Sequence, residues 1–383
     1  MSTLNKKIKK LQLSEEFIES FAAIPDKRSN GHKLHSLKNI IIIAICGILC
    51  GADSWLAVEK IGNCKLKWFR KFLWIPHGIP SHDTFARVFI WLDPKAIQTF
   101  LVKWGNDFKN LVDGETIAID GKKQRRSFDN VSKKSAIHIV SAFACEAGIT
   151  LGLTKVESKS NEIKAIPELL DIINVKDATV TIDAIGCQKS IANKIREKSA
   201  HYVLAVKKNQ QGLYSQVRKL LENLKHVKKS SNVIRSLIFK ENGHGRKEIR
   251  KYWISDKIES LKGKELWRDL KSIGCVSTTR IIGNKKSVET RYFITSHEAD
   301  EKIFAKNVRN HWKIENALHW RLDVIFRADD NRMRTGHSAE NFVTLQSFAL
   351  NLLKMESTSK TSVRIKRHMC ANDEKYLQKV LSI

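Results

Sequence analysis

Two short apolar runs end in an aspartate followed by a small residue: Thr116-Ile117-Ala118-Ile119-Asp120-Gly121 and Thr179-Val180-Thr181-Ile182-Asp183-Ala184. Alternation at period two predicts strands, with Asp120 on the face of Ala118 and Asp183 on the face of Thr179 and Thr181. An Asp at the end of a core strand lines a crevice or starts the next turn, and alone either use is ordinary. A third acid, Glu315, falls on the apolar stripe of Phe304, Val308, Trp312 and Leu322 in a segment with helical spacing, Ala299 to about Leu322. A carboxylate on a core-facing stripe is costly unless a cation answers it, either a bound metal or a nearby Lys or His. Three such acids supply the oxygen donors that Mg²⁺ prefers. Two ions about 4 Å apart would activate a water or 3′-hydroxyl on one side and stabilise a leaving oxygen on the other.

Nothing else in the chain competes for this chemistry. Seven Cys occur with no Cys-x-x-Cys, so neither a disulfide framework nor a zinc ribbon is indicated, and Cys46 and Cys50 read as core thiols. No phosphate-binding loop of the GxxxxGK[ST] type is present. The most apolar stretch, Ile40 to Gly51, is shorter than the roughly 20 residues a membrane span needs, and no signal peptide is seen. Cysteine usage and the lack of a span point to a cytoplasmic protein with no membrane partner.

The 383 residues carry 68 Lys plus Arg against 40 Asp plus Glu, a net charge of +28. Residues 1–114 hold 17 of the basic and 10 of the acidic side chains, so the excess is spread over a folded body rather than held in a tail. That pattern points to a polyanionic partner, nucleic acid first.

The elements that must position the acids follow from periodicity. Residues up to about 114 read as helical, with Leu37 to Ile61 apolar enough for one buried helix. Ser81-His82-Asp83-Thr84 predicts a capped helix start, and Asp93-Pro94 ends that helix and begins another. Two helices around the Pro80-Ser81 turn form a helix-turn-helix or an ordinary packing layer. The middle then reads as three strands, a helix, a strand, a helix and a strand, which makes a mixed sheet with flanking helices. A β-rich segment at about 230–295 separates that sheet from the final helices. Trp312 and Trp320 read as core, and Glu356 to Arg367 as a surface link.

At this point the sequence resembles the bacterial insertion-sequence transposases of the DDE type, in the subgroup with the H-repeat-associated proteins. The resemblance rests on Gly51-Ala52-Asp53-Ser54-Trp55, Pro80 to Phe89, Ile119-Asp120-Gly121-Lys122, Ile182-Asp183-Ala184 with Gln188, Lys207-Lys208-Asn209-Gln210 and His244-Gly245-Arg246. Its most specific block is His311-Trp312-Lys313-Ile314-Glu315-Asn316 followed by His319-Trp320, Leu322-Asp323-Val324 and Phe326. It implies a ribonuclease H-like α/β fold over 115–383, an N-terminal helical domain over 1–114, and a β-strand insertion before the catalytic Glu. It places catalysis and two Mg²⁺ or Mn²⁺ ions on Asp120, Asp183 and Glu315. Relatives commonly carry Phe-x-Glu-Asp where this chain has Phe326-Arg327-Ala328-Asp329.

Expected DNA contacts are Lys207, Asn209, Gln210, His244, Arg246, His311, His319, Arg332 and Arg334. The expected partners are double-stranded DNA at the element's terminal inverted repeats and in the target. The protein is expected in the bacterial nucleoid, acting as a homodimer once assembled on DNA. Two alternatives share the same residues: a metal-dependent nuclease without strand transfer, and an inactive or domesticated DNA-binding descendant of such an element.

Overall fold

The structure, a computed structural model, describes residues 19, 21–29, 33–107, 114–124, 136–156, 161–226, 233–243 and 245–382. His244 therefore lies outside the described residues.

Ser36 caps the first helix by accepting from the Asn39 amide, and α1 (Leu37–Leu49) buries every residue except Lys38. The expected single helix from Leu37 to Ile61 is in fact two. Gly51 takes a φ of +112°, a backbone state that side-chain-bearing residues avoid, and the chain turns there. Ser54 then caps α2 (Trp55–Cys64). After the short α3 (Leu66–Phe69), Ser81 caps α4 (His82–Trp91) through the Thr84 amide, and Pro94 opens α5 (Pro94–Asp107).

The strands are β1 (Thr116–Lys123), β2 (His138–Ala144), β3 (Ile149–Val156), β4 (Thr179–Ile182), β5 (His201–Val206), β6 (Arg235–Gly243), β7 (Arg246–Ser255), β8 (Ser272–Ile282) and β9 (Lys285–Thr295). They form one nine-stranded sheet in the order β3-β2-β1-β4-β5-β9-β8-β7-β6. β1, β2 and β3 are mutually antiparallel, whereas β4 and β5 run parallel to β1. That order and sense are those of a ribonuclease H-like sheet. The β-rich segment does not separate the sheet from the last helices. It continues the sheet, because β9 pairs antiparallel with β5.

One face of the sheet packs on α6 (Glu162–Ile172), α7 (Lys189–Glu197) and α8 (Gln211–His226), through Ile166, Leu169, Ile191, Ile195, Val217 and Leu221. The other meets α9 (Glu301–His311), the short α10 (Trp320–Val324) and α11 (Ser338–Met355). The alternation predicted for β1 holds: Ile117 and Ile119 join the first apolar cluster and Ala118 the second.

Helix α11 is buried almost all round, sandwiched between the sheet and the N-terminal helices. Its amide groups donate to neighbouring carbonyls, while Asn341 Oδ1 and Gln346 Oε1 are buried without a partner among the described residues. Asn341 Nδ2 donates to the Phe89 and Leu92 carbonyls, Gln346 Nε2 to Phe326 O, and Asn351 exchanges two hydrogen bonds with the Thr150 backbone.

The expected surface link from Glu356 to Arg367 is also corrected. Its second half enters α12 (Val363–Asn372), which is followed by α13 (Glu374–Leu381). Glu356, Lys366 and Arg367 are buried: Lys366 Nζ pairs with the Glu356 carboxylate at 3.1 Å and Arg367 Nη2 donates to Ile48 O at 2.8 Å. Charged composition reads as surface, but charges that neutralise one another can be buried. No helix among the described residues is long and apolar enough to cross a membrane.

Candidate active site

Asp120, Asp183 and Glu315 line one cavity of about 200 Å³, together with Thr181, Lys207, Arg291, His311 and Trp312. β1 delivers Asp120 and the end of β4 delivers Asp183, on neighbouring strands, since Ile119 pairs with Ile182. Asp183 also does what a turn-starting Asp does. Its Oδ1 accepts from the Ile185 amide at 3.0 Å, capping a short turn over Ala184–Gly186.

Glu315 comes from a π-helical stretch, Ile314–His319, that follows α9 and runs into α10. The wider turn shifts the helical register. Beyond it the buried stripe is carried by Ile314, Leu318 and Leu322, while Glu315 is exposed at the cavity. Trp312 and Trp320 are 41% and 54% exposed, so the expectation that they are core residues is corrected. The Arg291 guanidinium lies over the Trp312 ring at 5.2 Å from its centre.

Burial, and next the charge of Asp183, push the Asp120 carboxyl up to about 7, with Glu162 and Glu315 adding to the effect. The two histidines of the helix sit close by. His311 Nδ1 is 3.0 Å from the Thr181 hydroxyl, and burial brings its ring down to about 4. His319 Nδ1 is 3.7 Å from Asp120 Oδ2, and burial brings that ring down to about 3. Both imidazoles are uncharged at neutral pH. The His319 Nε2 atom is buried with no hydrogen-bond partner.

The other expected contacts are more dispersed. Asn209 Nδ2 donates to Ala184 O at 2.6 Å and Gln210 Nε2 to Cys187 O at 3.1 Å, so both amides brace the loop that follows Asp183. Arg246 is at a hairpin end, 3.6 Å from Glu248. Arg332 and Arg334 are exposed and do not line the cavity. Ala328 is 3% exposed within the apolar cluster and is not among the residues that line the cavity.

Two features of the site escaped the sequence reading. Lys122 pairs with Asp323 of α10 and lies 3.8 Å from Asp329, tying the end of β1 to the helix that carries Glu315. On the other side of β1 a buried His138–Glu162 pair lies directly against Gly121. A Cβ at residue 121 would collide with both partners, which accounts for the glycine after Asp120. Gly121→Ala is therefore expected to cost about 1–3 kcal/mol by overpacking and to lower cleavage by displacing Asp120. A urea denaturation series beside a cleavage assay checks it, and an unchanged midpoint with unchanged cleavage would show that the space is available.

The fit of this donor set to metal is a matter of chemistry and spacing. All three acids give oxygen ligands, and a cation would offset both the burial and the neighbouring carboxylate charges that raise Asp120. Among the described residues no three His, Cys, Asp or Glu side chains converge closely enough to hold one ion.

Comparison with known proteins adds the family. A model described as "Transposase DDE domain" matches residues 109–352, and one described as "DDE_Tnp_1-associated" matches residues 18–105. "Putative transposase YncI" of Escherichia coli O157:H7 is 40% identical over 96% of this chain and 95% of its own length. "H repeat-associated putative transposase YhhI" of Escherichia coli (strain K12) is 36% identical over 96% of this chain and 98% of its own length. The cryo-EM structure of the piggyBac transposase synaptic complex with hairpin DNA aligns at a TM-score of 0.42 and 15% identity, over 97% of this chain and 80% of that one. With a domain model over most of its length and relatives matched nearly end to end, this chain belongs to the transposase DDE domain family.

Proposed function

We propose that the protein hydrolyses DNA at the ends of its own element and joins the freed 3′-hydroxyl to a target duplex. Asp120, Asp183 and Glu315 hold two Mg²⁺ or Mn²⁺ ions for this reaction. The observation that carries the reading is that carboxylates from two strands and a helix meet at one cavity, beside an ammonium and a neutral imidazole. A hard divalent ion takes one or two carboxylates plus phosphate oxygens rather than a closed protein cage. Asp120, Asp183 and Glu315 would be the protein's oxygen donors to these ions, and Asp120 already feels the charges of Asp183 and Glu315. When bound, the pair of ions supplies Lewis acidity to the attacking and leaving oxygens of an in-line displacement.

The chain's own groups orient the DNA. Lys207 sets a positive charge at the cavity for a phosphate oxygen. His311, hydrogen-bonded through Nδ1 to the Thr181 hydroxyl, offers a neutral imidazole. Asn209 and Gln210 act by holding the Asp183 loop. Arg332 and Arg334 meet backbone phosphates outside the cavity. Selection of the element's ends rests with residues 1–114, where α4 turns Arg87 and Trp91 to solvent, and chemistry with residues 115–383.

The test uses full-length protein, Mg²⁺, a supercoiled plasmid and a terminal-repeat duplex with flanking sequence, labelled at the 5′ end of the strand whose 3′-hydroxyl is freed. Label joined to the plasmid is the expected result. Cleavage without joining would reduce the activity to that of a nuclease. DNA binding without metal-dependent cleavage would leave an element-derived binding protein.

A further inference from the structure

Beyond the acids, strands β6 to β9 project past the catalytic edge of the sheet. Val206, the last residue of β5, pairs with Tyr292, and β9 begins at Lys285. Seven residues at about 3.3 Å each carry that strand roughly 23 Å beyond the end of β5. The neighbouring strands keep pace, because Gly243, Arg246, Ile282 and Lys285 are successive cross-strand partners at one end. The outer part of this arm is mostly exposed on both faces, so no core explains its residues.

The two faces differ sharply. Tyr252, Val276 and Phe293 root the near face on α9, on the same side of the sheet as the catalytic acids. On that side the arginines are already engaged. Arg246, Arg250 and Arg280 surround Glu248, which is 3% exposed, and Arg250 and Arg309 share Glu241.

On the far face, rooted by Cys275 and Tyr292, the register makes three cross-strand rows. They read Asn242-Lys247-Ile281-Lys286, Lys240-Ile249-Thr279-Val288 and Ile238-Lys251-Ser277-Thr290. Four lysines stand in these rows among hydroxyl, amide and aliphatic side chains, and there is no carboxylate. Lys240, Lys247, Lys251 and Lys286 are exposed and form no ion pair with any described residue. Toward the root the series continues with Lys225 of α8, whose ammonium sits 4.0 Å over the Trp253 ring.

Holding four like charges on one small face is unfavourable in the free protein, and a polyanion reverses the sign of that cost. We propose that this far face grips the phosphate backbone of a DNA duplex, a segment other than the strand at the acids, because the face looks away from them. The inference rests on the transposase reading and adds a second DNA path to it.

The test compares full-length wild type with K240Q/K247Q/K251Q/K286Q and with K176Q/K257Q/K262Q/K271Q. The control loses the same charge at the opposite end of the strands. Binding to a duplex of random sequence is followed across a salt series without divalent metal. Each lost phosphate contact lowers the slope of log affinity against log salt by about 0.9, so the arm variant is expected to lose up to about 3.6 in slope. Its affinity at moderate salt should fall at least roughly tenfold, with the control within about threefold of wild type. Equal losses in the two variants would show a general charge effect and overturn the proposal, as would an arm variant that binds like wild type. Those outcomes leave the transposase reading standing. Wild-type protein with no salt-dependent DNA binding would remove both.

Discussion

Asp183→Ala protein is expected to lose DNA cleavage by at least about 10³-fold while binding duplex DNA, without metal, within about threefold of wild type. The size of the loss follows from the role proposed. A ligand to an ion that stabilises charge on a transferring phosphate is worth several kcal/mol, and each 1.36 kcal/mol is a factor of ten. The binding half follows from where the charge lies, since the net +28 is distributed over the chain and loss of one Asp makes it no less basic. Asp120→Ala and Glu315→Ala are expected to behave alike, because acids that share an ion pair fail as a unit. Asp183 is the informative member. It also caps the turn over Ala184–Gly186, so Asp183→Asn, which keeps a capping oxygen, separates the two jobs. If the Asn protein melts like wild type and still does not cut, the carboxylate charge is what matters. Wild-type cleavage by either variant would end the assignment.

Much of this site can be read from the chain because strands report their geometry locally. Alternation at period two tells which way Asp120 and Asp183 point, and the structure puts Ala118 and Thr181 on the side of α9 as that rule requires. Glu315 is harder. The stripe argument selects a residue that does line the cavity, but for an incomplete reason, since the π-helical turn displaces the stripe onto Ile314, Leu318 and Leu322. Helical spacing counted at 3.6 residues per turn carries no warning of such a turn. The His138–Glu162 pair and the Lys122–Asp323 link are invisible for another reason. Their partners are 24 and 201 residues apart, and pairing at that range depends on the sheet register and on which helix lies over which strand. The β-rich insertion shows the same limit. Its strands are evident from composition, yet only their register reveals that they extend the sheet that carries Asp120 and Asp183 and that Lys240, Lys247, Lys251 and Lys286 fall on the face opposite Arg246, Arg250 and Arg280.

The protein cut to begin at residue 115 is expected not to fold, although the two family matches meet near residue 107 and invite that cut. Helix α11 is built to be covered from the N-terminal side. Trp55 packs edge-on against Phe342 at 4.9 Å between ring centres, and Phe100 and Trp104 meet Phe348 at 5.1 and 5.3 Å. Loss of a single buried aromatic costs about 3–5 kcal/mol, and a whole domain has about 5–15 kcal/mol to lose. Removing buried Trp55 and half-buried Phe100 and Trp104 at once, with the buried rest of α1 to α5, exceeds that reserve. The polar cost adds to it. Asn341 would lose its acceptors at Phe89 and Leu92, and Arg367 its acceptor at Ile48. Deletion therefore cannot locate end recognition, since it destroys the catalytic half as well. Arg87→Gln with Trp91→Ala in the full chain can, because both side chains are exposed on α4 and no core depends on them. That double variant is expected to keep the wild-type melting temperature and lose its preference for terminal-repeat over scrambled duplex at a fixed salt concentration. Far-ultraviolet circular dichroism of the 115–383 fragment, followed through thermal melting, checks the first half of the argument. A cooperative transition near that of the full chain would mean that α11 stands without its N-terminal cover and that the two family matches mark separable domains after all.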